Sequence, residues 1–221
     1  MMPTHHIPEP LLLDHAAGSL AEPVELLVAT HLALCPPCRA GAARLEALGG
    51  ALLEDLPGEA ITGGGVDALL ARIEAGEADH RSAAADPGED ADEAASTIPQ
   101  PLRGYLKGPL DALGWRRRGR VSEARVLEGQ AGPSANLLRI PAGAALPEHA
   151  HRGEELTLVL AGGFTDGHGH YLRGDVAVAG VAVVHRPQAD ADDDCLCLTV
   201  AFAPVRLTGR FARLLNPFLR V

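Results

Sequence analysis

The sequence predicts a multidomain protein, all-α in its first part and all-β in its last. From Ile7 to Ala78 apolar residues recur at the spacing of one helical face, and strand signals are absent. After Ile98 the texture changes to short apolar runs of period two, each bounded by Gly or Pro. Residues 79–97 separate the two parts. They are small, polar and acidic, and cannot bury enough surface to offset their ordering entropy, which predicts a flexible linker. The expected domains are therefore 1–78 and 98–221.

Leu11, Leu12, His15 and Ala16 suit one helix, with Gly18 near its end. Glu22–Leu34 suits a second, with Val24, Leu27, Val28 and His31 on one stripe. Pro36 and Pro37 interrupt the pattern, because a helix normally stops at or before the residue preceding proline. A third helix is expected from Cys38 to about Leu53, using Ala42, Leu45 and Leu48. Pro57–Gly58 and Gly63–Gly65 break it from a short fourth helix, Val66–Ala75. The later runs GWRRRGRVSEARVLEG, SANLLRIPAG, ELTLVLAGGF, DVAVAGVAVVH and CLCLTVAFAP predict antiparallel strands in a sandwich or barrel.

The 221 residues are 47% hydrophobic, which excludes wholesale disorder, and only 3% aromatic, so the cores must rest on Leu, Ala and Val. No apolar run approaches the roughly 18 residues that span a bilayer, and MMPTHHIPEP lacks the basic start and hydrophobic core of an export signal. A cytoplasmic protein with no membrane partner is expected, its four cysteines kept as thiols. The net charge of −10 is uneven: −8 over residues 1–78, −5 over 79–97 and +3 over 98–221. The acidic first part would repel phosphates and suits a basic protein surface. Arg116–Arg120, a single short basic run, reads as a solvated loop, so no direct DNA binding is expected.

Chemistry first appears in His31-Leu-Ala-Leu-Cys35-Pro-Pro-Cys38. His31 and Cys35 are four apart and share a helical face, while Cys35 and Cys38 form a CxxC that a tight bend can close on one ion. Two thiolates and an imidazole make a tetrahedral Zn²⁺ site lacking one member. His6, beside the first helix, can reach back to supply it, with His5 or His15 as alternatives. In so small a core, zinc would contribute folding energy outright. This pattern of N-terminal His, LLLDHAAGSL and HLALCPPC resembles the zinc-binding anti-sigma domain. The resemblance implies His6, His31, Cys35 and Cys38 as the Zn²⁺ ligands, and an extracytoplasmic-function sigma factor as partner.

A second cluster lies in G-AALPE-His149-Ala-His151-RGE-Glu155-LTLVLA-G. On one extended strand His149, His151 and Glu155 would point to a single face, and His185 can complete a three-His, one-carboxylate site. Such a set suits Zn²⁺, Mn²⁺, Fe²⁺ or Ni²⁺, with Zn²⁺ favoured over Mn²⁺ and Fe²⁺ here. The spacing resembles the first and second motifs of the cupin superfamily, although the Pro-x-Gly expected before His185 reads Ala179-Gly180-Val181. His168 and His170, beside glycines, look like an exposed turn without metal. Cys195 and Cys197 would face one side of a strand, where a direct bridge would be strained; they read either as buried small hydrophobes or as a redox pair.

Both halves in this order resemble the ChrR-type anti-sigma factors, a helical zinc domain followed by a cupin-like barrel. The resemblance implies a regulator that sequesters a sigma factor in a 1:1 heterodimer and releases it under singlet oxygen or organic peroxide. On that expectation the chain is not an enzyme, and helices around Glu22–Leu34 and Leu45–Leu56 are candidate contacts. The alternative is a metal-dependent cupin enzyme, a dioxygenase or isomerase, with an appended helical module.

Overall fold

A computed structural model describes residues 2–58, 64–74, 98–128, 132–181, 183–203 and 205–207. The expected linker, 79–97, lies outside the described residues. Among the described residues four helices come first: α1 (Glu9–Ala16), α2 (Glu22–Leu34), α3 (Pro36–Glu54) and α4 (Gly65–Glu74). Among the described residues no helix is long and apolar enough to cross a membrane.

The bend between α2 and α3 is tighter than the sequence suggested. Only Cys35 leaves the helical region, at φ −117° and ψ 96°, and Pro36–Pro37 form the first turn of α3 rather than an interruption before it. Proline suits this position, since its fixed φ is already helical and its missing N–H would have had no partner there. Arg39 reaches back over the bend and donates to the Leu32 and Ala33 carbonyls, satisfying the last turn of α2.

A short helix α5 (Gln100–Arg103) leads into the strands β1 (Arg116–Arg118), β2 (Val121–Glu128), β3 (Ser134–Ile140), β4 (His149–His151), β5 (Glu155–Ala161) and β6 (Gly163–Thr165). They continue as β7 (His170–Leu172), β8 (Val176–Ala179), β9 (Val184–His185), β10 (Gln188–Ala189), β11 (Cys195–Ala201) and β12 (Val205–Leu207). The main sheet has the order β1-β2-β3-β11-β5-β8, and two three-stranded sheets, β10-β6-β7 and β12-β4-β9, face it. All pairings are antiparallel. β11 is central because it can be: every residue from Cys195 to Val200 is buried, which an edge strand could not offer. Between β5 and β6, Gly162 turns the chain at φ +63°, and a Cβ there would collide with the Asp194 carbonyl.

The helices and the sheet are not separate bodies. α2 packs on β3, β11 and α5. Ile7, Leu27, Val28, Leu102, Leu137, Leu158 and Leu198 all belong to one continuous apolar core. A second, smaller core inside the barrel gathers Ile140, Val159, Phe164, Tyr171, Cys195 and Cys197. The two parts therefore pack directly against each other. The largely apolar α2 needs burial on most of its circumference, and its own helical neighbours are too few to provide it.

Candidate metal centres

The first cluster forms at the α2–α3 bend. His6, His31, Cys35 and Cys38 bring one ligand atom each within 4.8 Å of all the others. His6 Nδ1 lies 3.3 Å from Cys35 Sγ and 3.5 Å from Cys38 Sγ. His31 is completely buried; its Nδ1–H donates to the Gly174 carbonyl at 2.8 Å, so Nε2 carries a lone pair, and that atom has no hydrogen-bond partner. A buried acceptor without a donor is costly. A cation held with two sulfurs and a second imidazole removes that cost, and this S₂N₂ donor set fits tetrahedral Zn²⁺. Burial lowers the His31 pKa, offset in part by the Gly174 bond and reinforced by His6, which keeps the ring neutral and able to ligate. Without metal, burial and then the bond to Cys35 raise the Cys38 thiol to about 11, so metal entry must displace a proton.

The alternatives for the fourth ligand are occupied elsewhere. His5 turns toward Tyr171, ring centroids 4.5 Å apart, and toward the Asp175 carboxylate. His15 pairs with Glu25 at 2.9 Å.

In the second cluster, β4 and β9 lie side by side with His149 opposite His185. The Nε2 atom of His185 lies 2.9 Å from that of His151 and 3.0 Å from that of His149. His149 Nδ1–H donates to the Pro147 carbonyl and His185 Nδ1–H to Asp166 Oδ2, so both Nε2 atoms present lone pairs to each other. Only a proton or a cation between them resolves that repulsion. Burial lowers the pKa of His149 and brings His151 to about 4, with repulsion among the three rings adding to the effect, so a proton is disfavoured. The site fits a divalent ion.

Glu155 does not join this group. The chain breaks at residues 152–154 between β4 and β5, so the single extended strand expected from His149 to Glu155 is two strands in different sheets. The carboxylate instead lies 3.4 Å from His151 Nδ1, and burial raises its pKa to about 7. Asp166, its side chain 3% exposed, orients His185 and was missed because an aspartate beside Gly167 reads as turn chemistry. Glu155, Asp166, His149, Tyr171 and Cys197 line one cavity inside the barrel. The Cys195 and Cys197 sulfurs are 3.4 Å apart and buried; their mutual bond and then burial raise the Cys197 pKa well above normal, leaving a protonated thiol. His168 lies in an exposed turn, and the exposed His170 pairs with Asp190 at 2.9 Å.

A helical module with a His/Cys tetrad, packed on a barrel with three convergent imidazoles, defines a two-part protein with two clusters compatible with metal binding. Residues 109–205 match the family described as the ChrR cupin-like domain. The chain is 38% identical, over 98% of its length and 98% of the relative's, to the anti-sigma-E factor ChrR of Cereibacter sphaeroides. It also matches the crystal structure of Rhodobacter sphaeroides SigE in complex with the anti-sigma ChrR, with a TM-score of 0.78 and 37% identity over 90% of this chain and all of that one. The chain belongs to the ChrR-type anti-sigma factor family. That family is regulatory, which sets the enzyme alternative aside.

Proposed function

We propose that this protein sequesters an extracytoplasmic-function sigma factor in a 1:1 heterodimer in the cytoplasm. One observation carries the reading: an apolar surface with nothing covering it among the described residues. Leu52, Leu53 and Leu56 at the end of α3 are each more than 60% exposed, as are Val66 and Ile73 of α4, and α4 buries no residue at all. So much exposed apolar surface suits a protein interface, and the likeness to a chain crystallised with SigE supports a sigma factor as its occupant. The charge of −8 over residues 1–78 suits a basic polymerase-binding face on that partner. By contrast α2, an expected contact, spends its apolar faces internally, with eight of its residues buried.

His6, His31, Cys35 and Cys38 would hold Zn²⁺ and fix the α2–α3 bend from which this surface projects. His149, His151 and His185 would hold a second divalent ion, Zn²⁺ before Mn²⁺ or Fe²⁺, and Glu155, expected as a fourth ligand, would join only if its side chain left its place beside His151 Nδ1. Release follows singlet oxygen or organic peroxide. Cys195 and Cys197 beside the cavity are the redox candidates: once the Cys197 proton is removed, attack of the thiolate on a hydroperoxide would give the sulfenic acid and release the alcohol. Polar atoms would then enter the packed wall. A tenfold loss of sigma affinity needs only about 1.4 kcal/mol.

Co-expression with the cognate sigma factor tests the reading: a stable 1:1 complex is expected. Leu52→Asp with Ile73→Asp should abolish it without unfolding the barrel. A folded, zinc-loaded chain that forms no such complex overturns the proposal.

A further inference from the structure

We infer that the β7–β8 turn of the barrel, Arg173–Asp175, positions the ligands of the helical module's metal site, so that metal binding there and docking of the barrel are one linked equilibrium. The inference rests on the reading of His6, His31, Cys35 and Cys38 as a zinc site and adds to it a controlling element from the other domain.

Three sets of contacts converge on this turn. The Gly174 carbonyl accepts from His31 Nδ1 at 2.8 Å and thereby selects the tautomer whose Nε2 faces the cysteines. Asp175 Oδ1 accepts from the main-chain N–H of Thr4 at 2.6 Å and of His5 at 2.9 Å, and its Oδ2 accepts from the Leu172 N–H at 2.8 Å. The Val176 N–H donates to the His5 carbonyl at 3.1 Å, so the peptide units just before His6 are held on both sides. Gly174 itself has φ +91°, and a Cβ there would lie 2.6 Å from Pro3 Cγ and 3.5 Å from Leu34 Cβ. The turn is therefore packed against both segments that carry ligands: the one leading into His6 and the one leading into Cys35.

The strand leading into this turn reaches the barrel cavity. His5 meets Tyr171 at a tilt with ring centroids 4.5 Å apart, and Tyr171 stacks on Phe164 with centroids 4.9 Å apart; Tyr171 and Phe164 line the cavity beside His149 and Asp166. Moving that wall moves His5, and His6 follows in the chain. Linkage is reciprocal: if docking raises the metal affinity of the tetrad, metal in the tetrad tightens docking by the same factor.

Full-length protein titrated with Co²⁺ tests this, because thiolate-to-cobalt charge-transfer absorption reports the tetrad and disappears in Cys35→Ser. Asp175→Asn offers one acceptor oxygen where two are needed, so it cannot serve the Leu172 and the Thr4/His5 N–H groups together. Asp175→Asn is expected to weaken Zn²⁺ at the tetrad by about 10- to 100-fold in chelator competition. In the reverse direction, removing metal from the wild-type chain should speed amide exchange at Val176 by about the same factor. This second measurement decides the matter even if Asp175→Asn fails to fold. Tetrad affinity within twofold of wild type, or Val176 exchange indifferent to metal, overturns the inference and leaves the zinc site standing. A wild-type chain with no thiolate band removes the zinc site itself.

Discussion

His151 and Glu155 lie 3.4 Å apart, and burial shifts each of them away from its ordinary pKa, in opposite directions. The folded pKa of His151, about 4, lies below the ordinary 6.5, so the stability of its neutral ring is complete above pH 6.5 and is lost as pH falls toward 4. Glu155 runs the other way: at about 7 against an ordinary 4.5, its contribution is complete below 4.5 and is lost as pH rises through 7. In metal-stripped protein the two slopes offset one another. Glu155→Gln removes the second, and chemical denaturation of that variant should show stability falling steadily from pH 7 to pH 4.5. A flat profile would mean that the His151 ring is not held neutral by burial. Asp166 can be tested at the same site. Its carboxylate fixes the His185 tautomer at 3.0 Å, so Asp166→Asn should weaken metal at the three-His cluster by about 10- to 100-fold in a chelator titration, with the tetrad unaffected.

Helix α2 carries more of the fold than its length suggests. Its sequence, EPVELLVATHLAL, puts apolar side chains on most of its circumference, and Leu27 and Val28 have no exposed surface. Leu27→Ala should cost about 2–5 kcal/mol in denaturant unfolding, since the cavity is bounded by helices and sheet alike and cannot collapse freely. The β5–β6 turn is equally demanding. Gly162→Ala combines a positive φ with a collision against the Asp194 carbonyl, and expression with a lowered melting temperature should report both. α3 and α4 behave differently because their apolar side chains, Leu52 and Ile73 among them, face outward. Polar substitutions there should leave stability within about 0.5 kcal/mol, the usual range for surface sites, while a sigma-binding assay detects a large loss.

One core joins helices and barrel, so the molecule should unfold as a unit. With zinc at a hundredfold excess over its dissociation constant, binding adds about 2.7 kcal/mol to stability. At roughly 2–4 °C per kcal/mol for a chain of this size, Cys35→Ser should lower a single calorimetric transition by about 5–10 °C. Two separated transitions, with the barrel's unmoved, would show that the shared core of Ile7, Leu27, Leu137 and Leu198 does not couple the halves.

Local chemistry made the order of elements and most of both metal clusters readable in advance. Periodicity placed α2 at Glu22–Leu34, CxxC with a histidine four residues earlier marked the tetrad, and the alternating His149-Ala-His151 marked the barrel site. These signals are short-range, fixed by 3.6- and 2-residue repeats and by ligand spacing along the chain. What distant parts of the chain do to one another was invisible. Nothing in the string sets His31 against Gly174, Thr4 against Asp175, or Asp166 behind His185, and the kink that removes Glu155 from its expected face depends on which sheet each flanking strand joins. The residue types and their spacing decided which groups could hold metal. Only the folded arrangement decided that helices and barrel share one core, because burying most of α2 required the barrel to come to the helices.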